Sequence, residues 1–158
     1  MTTLAARFLE PEVRPLVVKD CCAILDRQVA EKKGLSGIAI KGAFKAVKAI
    51  KPGFVPGVVD ALLDEWVEKL SQFEARHASS GAAGTFETYL VEHRKEVSEA
   101  LIEVTDLRAQ TTKHKTAKKF YERLRPSALA NVEEAIPELA QLVTKYGTPA
   151  QEAAQANA

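Results

Sequence analysis

Residues 32–59, KKGLSGIAIKGAFKAVKAIKPGFVPGVV, carry six lysines and no acid between glycine and proline breaks. That pattern dictates one helix with three unlike faces. Ile40, Phe44, Val47 and Ile50 recur at the spacings that build one apolar stripe. Lys41, Lys45 and Lys48 form a second stripe about a quarter turn away. Ala39, Gly42, Ala46 and Ala49 form a third, of small residues only, which lets another backbone approach closely. Ser36 is the expected N-cap. Pro52 ends the helix, because the residue before a proline is pushed out of the α region. The lysine ridge is either the solvated face of a core helix or an anion-binding edge.

The same helical period runs through nearly all of the chain, and no segment alternates as a strand does. A helix is predicted from about residue 15, a proline suited to a first turn, to about residue 33, with Gly34 as its stop. Its inward stripe is Val17, Cys21, Ile24, Leu25 and Val29. After the lysine helix, another starts at Pro56, turns Val59, Leu62, Leu63, Trp66, Leu70 and Phe73 inward, and ends near His77. Residues 78–84, ASSGAAG, read as a loop. Thr85 caps a segment bearing Phe86, Tyr89 and Leu90, which runs into or breaks before a helix with Val97, Leu101 and Val104. A stretch over residues 115–124 and a last run over 127–146 complete the set. Pro137 inside that run predicts a kink or two short helices, since an interior proline costs ~3 kcal/mol. The fold expected is all-α: one compact bundle of five to seven helices over residues 1–147, with Trp66 largely buried and its helix central. No heptad persists long enough for a coiled coil. Residues 148–158 read as a disordered or frayed tail with nothing to bury.

Charge is segregated although the net is only +1. Residues 59–104 hold ten acids against four bases, and residues 108–125 hold seven bases against Glu122 alone. Asp60, Asp64 and Glu68 line one helical face, and Glu92, Glu96, Glu99 and Glu103 line another. Like charges four apart repel by a few tenths of a kcal/mol per pair, so such rows need a counterpart. The expected counterpart is a basic face within the fold or on another subunit; the alternative is a dipolar molecule with a separate cationic patch. The candidate interaction face is Lys41, Lys45, Lys48 and Lys51 with Lys115, Lys118, Lys119 and Arg123.

Chemistry-bearing motifs are scarce. No metalloprotease helix, nucleophile elbow, phosphate-binding P-loop, dinucleotide fingerprint or calcium loop occurs. His77, His93 and His114 lack ligand spacing, so no cofactor or metal site is expected. Residues 34–37, GLSG, resemble either a phosphate-cradling turn at a helix N-terminus or a plain link between helices. Asp106 and Arg108 are placed to pair across a helix end. Cys21 and Cys22 are adjacent on a helix, which suits neither chelation nor an ordinary disulfide. One is expected in the core and one at its edge, in a reducing compartment. No apolar run approaches the ~20 residues of a membrane span. The first fifteen residues lack a signal-peptide pattern, so the cytoplasm is expected.

The stretches GLSG-x-AIK, VK-x-x-KPG-x-VP and VTDLRA (residues 104–109) resemble a family of small all-helical bacterial proteins of uncharacterised function, best represented in actinobacteria. The resemblance spans residues 8–146. It implies helices and a bacterial cytosol, and transfers no catalytic residue. The functional expectation is a non-enzymatic binding or assembly module with a protein partner or self-association. An enzyme with an unfamiliar site around Asp60, His93 or Asp106 is a third possibility behind two alternatives. One is a carrier of an apolar ligand in a pocket at Phe44, Trp66 and Phe73. The other is weak, sequence-independent polyanion or nucleic-acid binding through the lysine-rich helices.

Overall fold

Local chemistry sets most of the helix boundaries. The computed structural model describes residues 3–81 and 83–147, which form seven helices and no strand. In α1 (Leu4–Phe8) and α5 (Phe86–Glu92), the hydroxyls of Thr3 and Thr85 accept from backbone N–H groups three residues on. A proline opens the first turn of α2 (Arg14–Glu31). Gly34 starts α3 (Gly34–Lys48) at φ +76°, and Gly53 precedes α4 (Phe54–Ser80) at φ +74°. The α5 segment breaks at His93, whose ring stacks on Tyr89, before α6 (Arg94–Thr111). The final helix, α7, runs unbroken over Lys115–Gly147. The expected tail, residues 148–158, lies outside the described residues.

Several boundaries correct the sequence reading. The N-cap of α3 is Lys33, not Ser36, and the helix stops at Lys48. Helix α4 starts two residues before Pro56 and continues through Ser80, so the loop begins only at Gly81, in the left-handed conformation. Helix α1 was not foreseen; five residues are too few to show a period. The largest correction is α7, where two predicted helices are one, with Pro126 and Pro137 inside it. Eleven residues make three turns and a small remainder, so both prolines share a face, and both are exposed. The carbonyls they leave without an intrahelical donor, four residues earlier, therefore fall on the side that water reaches.

The long helices α4 and α7 each pack against α1, α2, α3, α5 and α6, so α4 shares the central role with α7. The main core joins Leu4, Phe8, Val17, Ile24, Leu63, Val67, Phe73, Tyr89, Leu90, Val97, Ile136, Ala140, Leu142 and Val143. It draws on α1, α2, α4, α5, α6 and the second half of α7. Neither α3 nor the first half of α7 contributes to it. The buried residues of α3 are Gly37 and Ala43 alone. Trp66 is largely buried, as expected, though outside that core cluster, and its indole N–H donates to the Leu101 carbonyl of α6 at 3.1 Å.

Candidate functional site

The three family-like stretches turn out to be joints. In GLSG, a Cβ on Gly37 would stand 2.7 Å from the Lys32 carbonyl carbon, so only glycine lets the two-residue link from α2 press against α3. The Gly37 N–H donates to the Lys33 carbonyl, so this amide is not free to cradle an anion. In KPG-x-VP, Gly53 makes the left-handed turn into α4. In VTDLRA, Asp106 accepts from the Tyr121 hydroxyl and from Arg125 Nε at 2.9 Å, while Thr105 Oγ1 lies 2.9 Å from the Tyr121 oxygen. This polar clasp ties α6 to α7; the expected Asp106–Arg108 pair is replaced by Asp106–Arg125. Burial and the Asp106 bond push the Tyr121 hydroxyl up to about 12. Burial also pushes Asp106 up, but the bonds from Tyr121 and Arg125 outweigh it and hold the carboxyl below its usual range. A phenol so reluctant to ionise acts as a structural donor.

The acidic rows find their counterparts elsewhere than expected. Arg14 of α2 grips Asp60 Oδ1 at 2.7 Å and Asp64 Oδ2 at 2.9 Å, and donates to the Asp60 carbonyl as well. Its guanidinium lowers the Asp64 carboxyl. Arg76 takes Glu96 at 3.0 Å, and Lys69 takes Glu103 at 3.5 Å. Arg7 takes Glu74, Arg27 takes Glu138, and Lys145 with Tyr146 takes Asp20. None of these cations belongs to the proposed interaction face. Within the rows, Asp60, Asp64, Glu96 and Glu103 are paired by scattered arginines and a lysine of neighbouring helices, whereas Glu68, Glu92 and Glu99 have no ion pair among the described residues.

That leaves the lysine helix largely to itself. Of the eight candidate cations, Lys48 alone makes an ion pair, to Asp26 of α2 at 2.6 Å, and its ammonium also lies over the Phe44 ring. Lys41, Lys45, Lys51, Lys115, Lys118, Lys119 and Arg123 have no ion pair among the described residues. All but half-buried Lys118 are exposed. The two basic segments come together as helices, because α3 packs on α7. Lys32 pairs with Glu134, and further along Phe54 meets His114 edge-on, which runs this part of the chain antiparallel to α7. At 100° per residue, Lys41 and Lys45 project from the outer side of α3, away from α7. The patch is therefore a cationic shoulder on two adjoining helices, not one facing cluster.

Between those helices runs a groove of about 490 Å³, walled by Ser36, Ala39, Ile40, Gly42 and Ala43 on α3 and by Phe120, Arg123, Leu124 and Ser127 on α7. Ala39 and Gly42, from the expected small-residue stripe, are exposed along it. Leu35 and Ile38 project from the same helix, 88% and 70% exposed. This opening was missed by sequence reasoning, although the run of small residues on α3 is its signature. A second hollow of about 460 Å³ lies beside Pro15, Val18, Lys19, Cys22, Ala23, Asp26 and Pro56. Neither opening is lined by Phe44, Trp66 or Phe73. Phe73 belongs to the core, Trp66 faces α6, and Phe44 is half-buried under Lys48. Both cysteines are free: Cys21 packs against the core, where burial pushes its thiol up to about 12, and Cys22 edges the second hollow.

No helix among the described residues is long and apolar enough to cross a membrane, and no three His, Cys, Asp or Glu side chains gather there as a metal site. No curated protein and no solved structure matches the chain. A family model does, over residues 4–147, and the chain belongs to that family of unknown function, DUF6918.

Proposed function

We propose that the protein works by binding rather than by catalysis, as a cytosolic module whose cationic shoulder on α3 and the first turns of α7 meets an acidic surface of a partner protein. One observation carries this reading. Asp60, Asp64, Glu96 and Glu103 of α4 and α6 are bridged by Arg14, Arg76 and Lys69, while the shoulder's cations other than Lys48 have no ion pair among the described residues. A set of like charges kept in water lowers stability slightly and favours a complementary partner. The two free thiols suit a reducing compartment.

The test is binding of a fluorescent poly-glutamate peptide, read by anisotropy at low and at physiological salt. Salt-sensitive binding that disappears in a Lys41→Glu, Lys45→Glu, Lys119→Glu, Arg123→Glu variant of unchanged melting temperature supports the shoulder. Equal binding by that variant overturns it. A single-stranded oligonucleotide serves as the rival probe. If it binds and the acidic peptide does not, the protein is a non-specific polyanion binder, because lysine offers phosphates a point charge without a planar fork.

A further inference from the structure

We infer that the groove between α3 and α7 is the docking site for one amphipathic, acidic helix of a partner protein; this rests on the cationic-shoulder reading above and names what the shoulder holds. Three features of the groove select that occupant. The first is its length. On α3 the lining runs from Ser36 to Ala43, and on α7 from Phe120 to Ser127. Each span is eight residues, or seven steps of 1.5 Å, roughly 10 Å, which matches two turns of a helix and its anchors at i, i+3, i+4 and i+7.

The second is the width. The α3 wall is Ser36, Ala39, Gly42 and Ala43, and a Cβ added to Gly42 would meet nothing within 4 Å. Residues this small bring an incoming backbone close, while Ile40, Phe120 and Leu124 offer an apolar floor for its side chains. Exposed Leu35 and Ile38 extend the apolar contact outward along α3. Two large aliphatic side chains left this exposed favour a partner that covers them.

The third is charge. Arg123 lines the α7 wall with its guanidinium over the Phe120 ring at 5.6 Å and no carboxylate partner among the described residues. Lys119, one turn before it, is exposed and has no ion pair among the described residues. Both charges stand on the α7 side, so a helix with an apolar stripe and an acidic flank toward α7 satisfies floor and wall at once. A flat anionic membrane would reach Leu35, Ile38 and the lysines but not the recessed floor, and a nucleic acid has no use for an apolar floor.

The experiment compares three probes on the full chain by anisotropy or co-sedimentation: an eighteen-residue leucine/glutamate amphipathic helix, a poly-glutamate of equal charge, and phosphatidylglycerol vesicles. The amphipathic helix is expected to bind at least about tenfold tighter than poly-glutamate. Gly42→Trp, which fills the groove from an exposed position, should remove that advantage and leave poly-glutamate binding unchanged. Ala39→Gln, which sets a neutral polar side chain on the apolar groove from a second exposed position, should do the same and stands in if the tryptophan variant fails to fold. Equal affinity for the two peptides overturns the groove while sparing the cationic shoulder. Binding of neither peptide overturns both. Vesicle binding that survives Gly42→Trp, with no preference for the amphipathic helix, assigns the exposed leucine and lysines to a membrane surface and overturns the groove.

Discussion

Helix α7 spans two halves of the molecule that are built on different principles. Its second half supplies Ile136, Ala140, Leu142 and Val143 to a core shared with five other helices, and Glu134, Glu138 and Lys145 reach ion-pair partners on or just beyond α2. Its first half has no residue in that core, meets α3 across small side chains, and carries Lys115, Lys118, Lys119 and Arg123 without ion pairs among the described residues. One half is closed into the shared core; the other lies outside that core, thinner and cationic. The lesson is that segregated charge in a near-neutral chain need not mean that the two signs face each other. Here Asp60, Asp64, Glu96 and Glu103 are taken by Arg14, Arg76 and Lys69, and most of the clustered lysines have no ion pair among the described residues.

The widest gap between the halves should appear where packing is tightest. Gly37 lies on α3 but faces the closed side, where its missing Cβ would come within 2.7 and 2.8 Å of Lys32 backbone atoms that cannot rotate away. Gly37→Ala is therefore expected to cost about 2 kcal/mol, as overpacking does, lowering the melting temperature by roughly 4–8 °C. Thermal unfolding followed by circular dichroism measures it. A change under about 0.5 kcal/mol would mean that the link from α2 to α3 is looser than its geometry.

Breaking the charge closure comes next. Arg14→Gln removes the cation held between Asp60 and Asp64 and leaves two carboxylates four residues apart. Because both acids are more than half exposed, screening limits the effect to about 1 kcal/mol, visible in a urea midpoint. Acid should act in the same direction. Asp20, Asp64, Asp106 and Glu138 have carboxyls held below their usual range. A folded pKa below the unfolded one gives stability that is present above the unfolded value, near 4, and is lost as pH falls through the folded value. Urea midpoints should thus be flat at neutral pH and fall below about pH 4, with the fall shallower in Arg14→Gln. An unchanged acid limb in that variant would show that Arg14 and Asp64 are not linked in solution.

How much of this was legible follows the same division. The closed half announces itself by period: Val17, Ile24, Leu63, Phe73, Leu90 and Val97 were all placed inward, and all are buried. Thr85 was legible as a cap because capping is local. The continuity of α7 was hidden, since a proline is judged by the bond it breaks and not by whether a second proline eleven residues on shares its exposed face. On α3, Phe44 has the hydrophobicity of a core residue, yet Gly37 and Ala43 are what the neighbours bury. A helix at the edge of a bundle is seated by its smallest residues, and hydrophobic periodicity is blind to them. The salt-bridge partners were equally hidden, for pairing an acid with Arg14 rather than Lys45 depends on which helices touch.

The smallest expected effect is the sharpest test of the division. Gly42 lies five residues from Gly37 on the same helix, and a Cβ there meets nothing within 4 Å. Gly42→Ala should therefore gain up to about 1 kcal/mol from helix propensity alone, the opposite sign to Gly37→Ala. Lys41→Glu with Lys45→Glu, on the exposed side of α3, should change stability by less than about 0.5 kcal/mol, since neither lysine gives up an ion pair. Lys48 is the internal control: Lys48→Glu on the same helix places a carboxylate against Asp26 and should cost measurably more than either neighbour. If the Lys41 and Lys45 pair proves as costly as Lys48, those lysines are held by the fold, and the thin half is not free to receive a partner. If only Lys48 responds, the charges on α3 contribute nothing to folding that would require so many of them, and their placement must be explained by what they meet outside the chain.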